Sequence, residues 1–210
     1  MILKINNVSK EFKEINILKN VNLELHSGKI YGLIGRNGSG KSVLLKIICG
    51  FYNATSGNIT LDGEDYIKNK SFPKDTRALI EKPNFLPNLT GLENLKLLAS
   101  IQNKIGEKEI LETLEKVNLK GEENKKYSKY SLGMKQKLGI AQVLMEDPKL
   151  IILDEPFNGV ENETAKQIRN VLLQEKEKGK LIIIASHIKE DIELLADEVY
   201  EVDNGTITKK

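Results

Sequence analysis

Three shortages narrow the possibilities before any motif is considered. The 210-residue chain has a single cysteine, Cys49, which excludes an internal disulfide framework and fits a reducing compartment. Its neighbours Ile47 and Ile48 mark Cys49 as a buried core thiol rather than a reactive one. Charge of one sign is also missing, because 32 basic and 30 acidic residues leave a net charge of only +2. No concentrated basic face is expected, and with it no nucleic-acid partner. The third shortage is of long apolar runs. None approaches the roughly 20 residues that span a bilayer, and the N-terminus MILKINNVSK has no signal-peptide core. The chain therefore reads as soluble, reaching a membrane only through another polypeptide.

Apolar residues make up 40% of the composition, enough for one large domain with a sizeable core. Ile2–Val8 and Leu18–Leu25 carry β-rich patterns, and the turn His26-Ser27-Gly28 leads into a short buried strand, Lys29–Ile34. His26, far from any motif, reads as surface. A helix over Ser42–Cys49 closes at Gly50, and Asn58–Leu61 runs as a strand into a tight turn at Asp62-Gly63. From Pro83 to Asp147 the periodicity changes to helical, over Leu92–Ile101, Glu107–Val117 and Leu132–Glu146. Strand patterns return at Leu150–Leu153, Leu181–Ala185 and Glu198–Val202, with a helix over Thr164–Lys178 between them. The simplest reading is a strand-rich core, residues 1–82 and 148–210, with a helical lobe inserted at 83–147.

Gly35-Arg36-Asn37-Gly38-Ser39-Gly40-Lys41-Ser42 matches G-x-x-x-x-G-K-[ST] between an apolar strand and an apolar helix, the context this phosphate loop requires. Its glycines let backbone N–H groups curl around phosphate oxygens, and the following helix, with Val43 in its first turn, adds its dipole. Lys41 is expected on the β- and γ-phosphates and the Ser42 hydroxyl on Mg²⁺. Leu150–Leu153 ends in Asp154-Glu155-Pro156, and two carboxylates at the end of a buried strand are costly unless a cation or substrate engages them. Asp154 suits Mg²⁺, and Glu155 suits the general base for an attacking water. His187 stands just past another strand end, the edge where ligands of open α/β sheets gather, within reach of a γ-phosphate.

In this order the motifs resemble the ATP-binding subunit of ABC transporters over nearly the whole chain. GRNGSGKS resembles the family's Walker A motif and IILDEP its Walker B. Tyr130–Met134 falls where its LSGGQ signature lies, His187 at its switch histidine, and Phe12 at an aromatic that stacks on adenine. The resemblance implies an α/β fold: a P-loop NTPase core with an antiparallel β subdomain and an inserted α-helical subdomain. It implies ATP and Mg²⁺ as cofactors and transport-coupled hydrolysis. It also implies a second ATPase subunit, identical or related, bound head to tail so that Ser131 and Gly133 of one subunit meet the ATP held by the other. A multi-span permease would be the further partner, placing the chain in the cytoplasm, peripheral on the inner face of the membrane.

Four positions depart from the family pattern. Leu132 replaces the first signature glycine and Met134 the glutamine. Glu81, in ALIEKP, stands where a glutamine usually senses Mg²⁺, adding a third carboxylate near Asp154 and Glu155. Glu161 replaces an aspartate in the loop after Walker B. Glu81 together with SLGMK is similar to the bacitracin and lantibiotic-immunity exporter branch, and the short tail after the last strand agrees with export. Two other functions fit the sequence less well. A soluble ABC ATPase of DNA maintenance or translation would carry coiled-coil insertions or a duplicated domain. A module that holds ATP without turnover is opposed by Lys41, Asp154, Glu155 and His187.

Overall fold

The computed structural model describes residues 1–69 and 71–210. Two sheets and six α-helices account for most of it. Strands β1 (Ile2–Phe12), β2 (Ile15–His26) and β4 (Ser56–Leu61) form an antiparallel sheet in the order β2-β1-β4. The second sheet runs β5-β6-β7-β3-β8-β9 and comprises β3 (Lys29–Ile34), β5 (Thr76–Leu79), β6 (Leu150–Asp154), β7 (Leu181–Ser186), β8 (Glu198–Asp203) and β9 (Thr206–Lys209). All its pairings are parallel except β8 with β9.

The unbroken apolar runs of β6 and β7 follow from this arrangement, because a parallel sheet covered on both faces has no solvated side. Alternate residues serve the two cores. Ile151, Leu153, Ile182 and Ile184 join the cluster built with the helices, whereas Leu150, Ile152, Leu181 and Ile183 join the cluster beneath β1, β2 and helix α1 (Lys41–Ile48). Cys49 belongs to the second cluster, and burial pushes its thiol up to about 12. That leaves it an inert core residue.

Helices α2 (Gly91–Gln102), α3 (Glu107–Lys116) and α4 (Leu132–Leu144) all fall between β5 and β6 in sequence and pack on one another. The first is closed at its start by a capping box, Thr90 with Glu93. Helix α5 (Asn162–Glu177) connects β6 to β7, and the short α6 (Lys189–Glu193) connects β7 to β8. The sequence pattern showed neither β5, β9 nor α6. Four or five residues are too few for a period to emerge, and β5 is a strand only because β6 lies beside it.

Parallel register then decides what meets. Ile34 pairs with Ser186, Asp154 with Ala185, and Leu79 with Leu153. The phosphate loop, the Asp154-Glu155 pair, His187 and Glu81 therefore all leave the sheet at one edge, the carboxyl end of its parallel strands.

Candidate active site

The loop between β3 and α1 turns through left-handed backbone at Gly38 (φ 81°) and Gly40 (φ 112°). Lys41 is only 5% exposed, and its Nζ donates to the Gly35 and Arg36 carbonyls at 2.7 and 3.2 Å. Burial holds its pKa below the usual lysine value, against the opposing pull of Glu155 and Asp154. The Ser39 hydroxyl is buried in the same loop without a partner, an unused donor of the kind a phosphate oxygen satisfies. Val43 follows in α1, half buried and packed against the second core.

Ser42 and Asp154, distant in sequence, touch: the hydroxyl donates to Asp154 Oδ2 at 2.6 Å. Asp154 is 3% exposed and its other oxygen, Oδ1, has no partner. Burial pushes this carboxyl above the usual range. The Ser42 hydrogen bond opposes that push, while the charges of Glu155 and Glu81 add to it. A buried carboxylate oxygen left unmatched beside a hydroxyl is what a small hard cation would occupy. Among the described residues no three His, Cys, Asp or Glu side chains converge as a metal cage. The pair therefore fits Mg²⁺, which takes its other ligands from water and phosphate, and not a metal held by protein alone.

Glu155 has left-handed backbone (φ 50°), a conformation costing a non-glycine residue about 1–3 kcal/mol. Its N–H donates to the Ala185 carbonyl at 2.8 Å, which fixes the turn. The side chain is equally constrained. Oε1 accepts the His187 backbone N–H at 2.9 Å, and Oε2 lies 2.8 Å from His187 Nδ1 and accepts Ser186 Oγ at 3.2 Å. His187 Nε2 is then the nitrogen left to meet a ligand. His187 also shares an open cleft of about 480 Å³ with Gly35 and Arg36.

The Glu81 carboxylate is held by Lys46, one turn beyond Ser42 in α1, and is itself largely exposed. The expected effect of a third carboxylate is present, since Glu81's charge helps to raise Asp154, and the structure adds that Glu81 is itself paired with Lys46. Sequence reading missed Lys46. Its place four residues after Ser42 was visible as a shared helical face, but its partner was not.

Ser131 caps α4, its hydroxyl accepting the Met134 N–H at 3.2 Å and keeping its own hydrogen free. Gly133 allows a close approach: a Cβ there would lie 2.8 Å from the Gly159 carbonyl. The two departures behave differently. Met134 turns into the helical core, whereas Leu132 is 61% exposed and rests on Gly159. No hydrogen bond among the described residues joins Ser131 or Gly133 to the phosphate loop. Gln136, also missed, ties α4 to the catalytic edge by donating to the Glu155 carbonyl at 3.1 Å. Glu161 caps α5 without a side-chain hydrogen bond. Phe12, 40% exposed at the end of β1, meets the edge of Tyr52 at 5.5 Å between centroids, with the Lys10 ammonium 4.5 Å from its centroid. It is not a core residue.

This constellation has counterparts. The ABC transporter family model matches residues 18–158. The "Uncharacterized ABC transporter ATP-binding protein YybJ" of Bacillus subtilis (strain 168) is 40% identical over 98% of this chain and 94% of its own. The "Bacitracin transport ATP-binding protein BcrA" of Enterococcus faecalis is 37% identical over 100% of this chain and 68% of its own. Among solved structures, the ATP-binding cassette MJ0796, a dimer in a post-hydrolysis state with ADP and Pi, superposes with a TM-score of 0.89 at 25% identity. That match covers 99% of this chain and 97% of the other. The chain belongs to the ABC transporter family. Within it, this is an ATP-binding subunit, and its reaction is ATP hydrolysis.

Proposed function

We propose that the chain energises export of an antimicrobial peptide or drug by closing on ATP as a head-to-tail dimer beneath a multi-span permease. The observation that carries this reading is the convergence of Ser42, Asp154, Glu155 and His187 on the phosphate-loop edge, with the signature serine exposed elsewhere. Its relative BcrA is named for bacitracin transport, and the Glu81 and SLGMK departures accord with that branch.

In this reading Gly35–Val43 cradle the phosphates, Phe12 stacks on adenine, and Lys41 releases its two loop carbonyls to bind the β- and γ-phosphates. Mg²⁺, held by Ser42 and Asp154 with Glu81 near by, would neutralise charge between those phosphates. Glu155 takes the proton of the attacking water, held for that task by Ser186 and His187. His187 Nε2 meets the γ-phosphate. Ser131 and Gly133 of the second subunit offer a hydroxyl, a backbone N–H and a helix start to the same phosphate. ATP then forms part of the interface, and loss of the γ-phosphate releases it.

No helix among the described residues is long and apolar enough to cross a membrane, so the reading requires a partner that does. A cleft of about 390 Å³ lined by Phe85, Leu86, Pro87, Asn94 and Leu97 offers half-exposed apolar side chains beside Glu81 in sequence, and is the proposed permease seat. Affinity capture of the chain from membranes tests this. A co-purifying multi-span protein, lost on Leu86→Glu and Leu97→Glu, is expected. Capture with DNA or ribosomes instead would sink the transport reading.

A further inference from the structure

The chain places a carboxylate at the edge of its metal site and provides that carboxylate with a private counter-ion. Leu79 on β5 pairs with Leu153 on β6, so Glu81, two residues on, leaves the sheet level with Glu155 and one residue beyond the level of Asp154. Its φ of 63° turns the chain sharply there. From that position its side chain could meet a cation at Ser42–Asp154, yet it is bound to Lys46. Lys46 is well placed to hold it. It lies one turn along α1 from Ser42, on the same face, and its side chain is only 21% exposed against 64% for Glu81. It also has a second resting place, with Nζ 5.5 Å from the Tyr52 ring centroid, and Tyr52 in turn meets Phe12.

We propose that Lys46 is a positioning residue of the metal site: it holds Glu81 off the Ser42–Asp154 pair, and Glu81 changes partner from Lys46 to the cation when metal and nucleotide bind. The inference rests on the Mg²⁺ reading above. Its physical content is a competition. With Lys46 present, an incoming cation must displace an ammonium to gain Glu81; without it, Glu81 is free to the cation. The difference is the worth of one partly exposed ion pair, about two- to five-fold in an equilibrium constant. Lys46 left over after the exchange keeps its contact with Tyr52, which links occupancy of the metal site to the Tyr52–Phe12 aromatic pair.

The probe is Mn²⁺, its free fraction read by electron paramagnetic resonance during titration of the full chain with a non-hydrolysable ATP analogue. Lys46→Met is expected to tighten Mn²⁺ about two- to five-fold, and Lys46→Arg to leave it unchanged. In a Glu81→Gln background, Lys46→Met is expected to have no effect. A Lys46→Met shift of equal size in both backgrounds would show bulk charge rather than partner exchange, and would overturn the proposal. No shift in either would do the same. Metal-free thermal unfolding gives an independent readout: the costs of Lys46→Met and Glu81→Gln must be non-additive, and additive costs reject the pair. Mn²⁺ binding that Asp154→Asn leaves intact would overturn the metal reading itself, and this inference with it.

Discussion

Glu155→Gln separates chemistry from architecture at this site. The side chain keeps its shape, and its three contacts survive, one unchanged and two by a swap of donor and acceptor. The amide oxygen replaces Oε1 in accepting the His187 N–H, 2.9 Å away in the native chain. The amide nitrogen replaces Oε2, 2.8 Å from His187 Nδ1 and 3.2 Å from Ser186 Oγ, both of which can accept a hydrogen bond. The cost to the fold is then under about 1 kcal/mol, or no more than ~2–4 °C in Tm for a chain of this size. Nothing in the exchange touches the phosphate loop, so ATP binding should persist. What is lost is the carboxylate that accepts the proton of water. A positioned general base contributes about 10²–10⁴ in rate, equivalent to ~2.7–5.4 kcal/mol of barrier. The expected phenotype is a collapse of kcat by that factor, with nucleotide affinity unchanged and a MgATP-dependent dimer accumulating in light scattering. Phosphate release within ten-fold of the native rate, from protein with native Tm, would refute the assignment. Glu155→Ala is the contrasting control. It leaves the His187 N–H without its acceptor and should cost ~1–3 kcal/mol of stability as well as activity.

Two further outcomes follow from the electrostatics. Asp154 has its carboxyl raised chiefly by burial, so its ionised form burdens the fold at pH values above that raised value and not below the ordinary carboxylate range. Asp154→Asn should therefore raise the Tm of metal-free protein in EDTA at pH 7.5, with the gain fading as pH falls, while Mg²⁺-dependent nucleotide binding is lost; an equal or lower Tm at pH 7.5 argues against it. Glu198 shows the reverse sign. Lys209 and Lys29, each 2.7 Å away, bring it down from an ordinary 4.5 to about 2. Its contribution is present above pH 4.5 and lost as pH falls toward 2. Because both lysines are about half exposed, screening limits it to ~1 kcal/mol. Urea unfolding of Glu198→Gln should show that deficit at pH 7 and none near pH 2.

Much of the site was legible because its parts are local. Gly35–Ser42 is a continuous loop whose geometry follows from glycine spacing, and Leu150–Leu153 announces a buried strand by composition alone. Ser131 was readable as a helix start. The rest is made by register. Ser42 meets Asp154, and Glu155 meets His187, only because β3, β6 and β7 lie side by side and end together. Strand order is not encoded in any one segment. Glu81 shows the limit most clearly. Its charge and motif position were evident, but its partner was a lysine 35 residues earlier on a helix.

What the sequence determined by itself was the chemistry available: a phosphate cradle, carboxylates at a strand end, a helix start suited to an anion, and no segment able to cross a membrane as a helix. These follow from short-range rules of backbone conformation and solvation, which act over a few residues. Tertiary structure decided how that chemistry is spent: which hydroxyl the buried Asp154 receives, which imidazole braces Glu155, that Leu132 stays on the surface while Met134 turns inward, and that Glu81 has a counter-ion. Each depends on which apolar faces pack together. The hydrophobic effect that drives this packing is non-directional, so no single stretch of chain specifies the outcome.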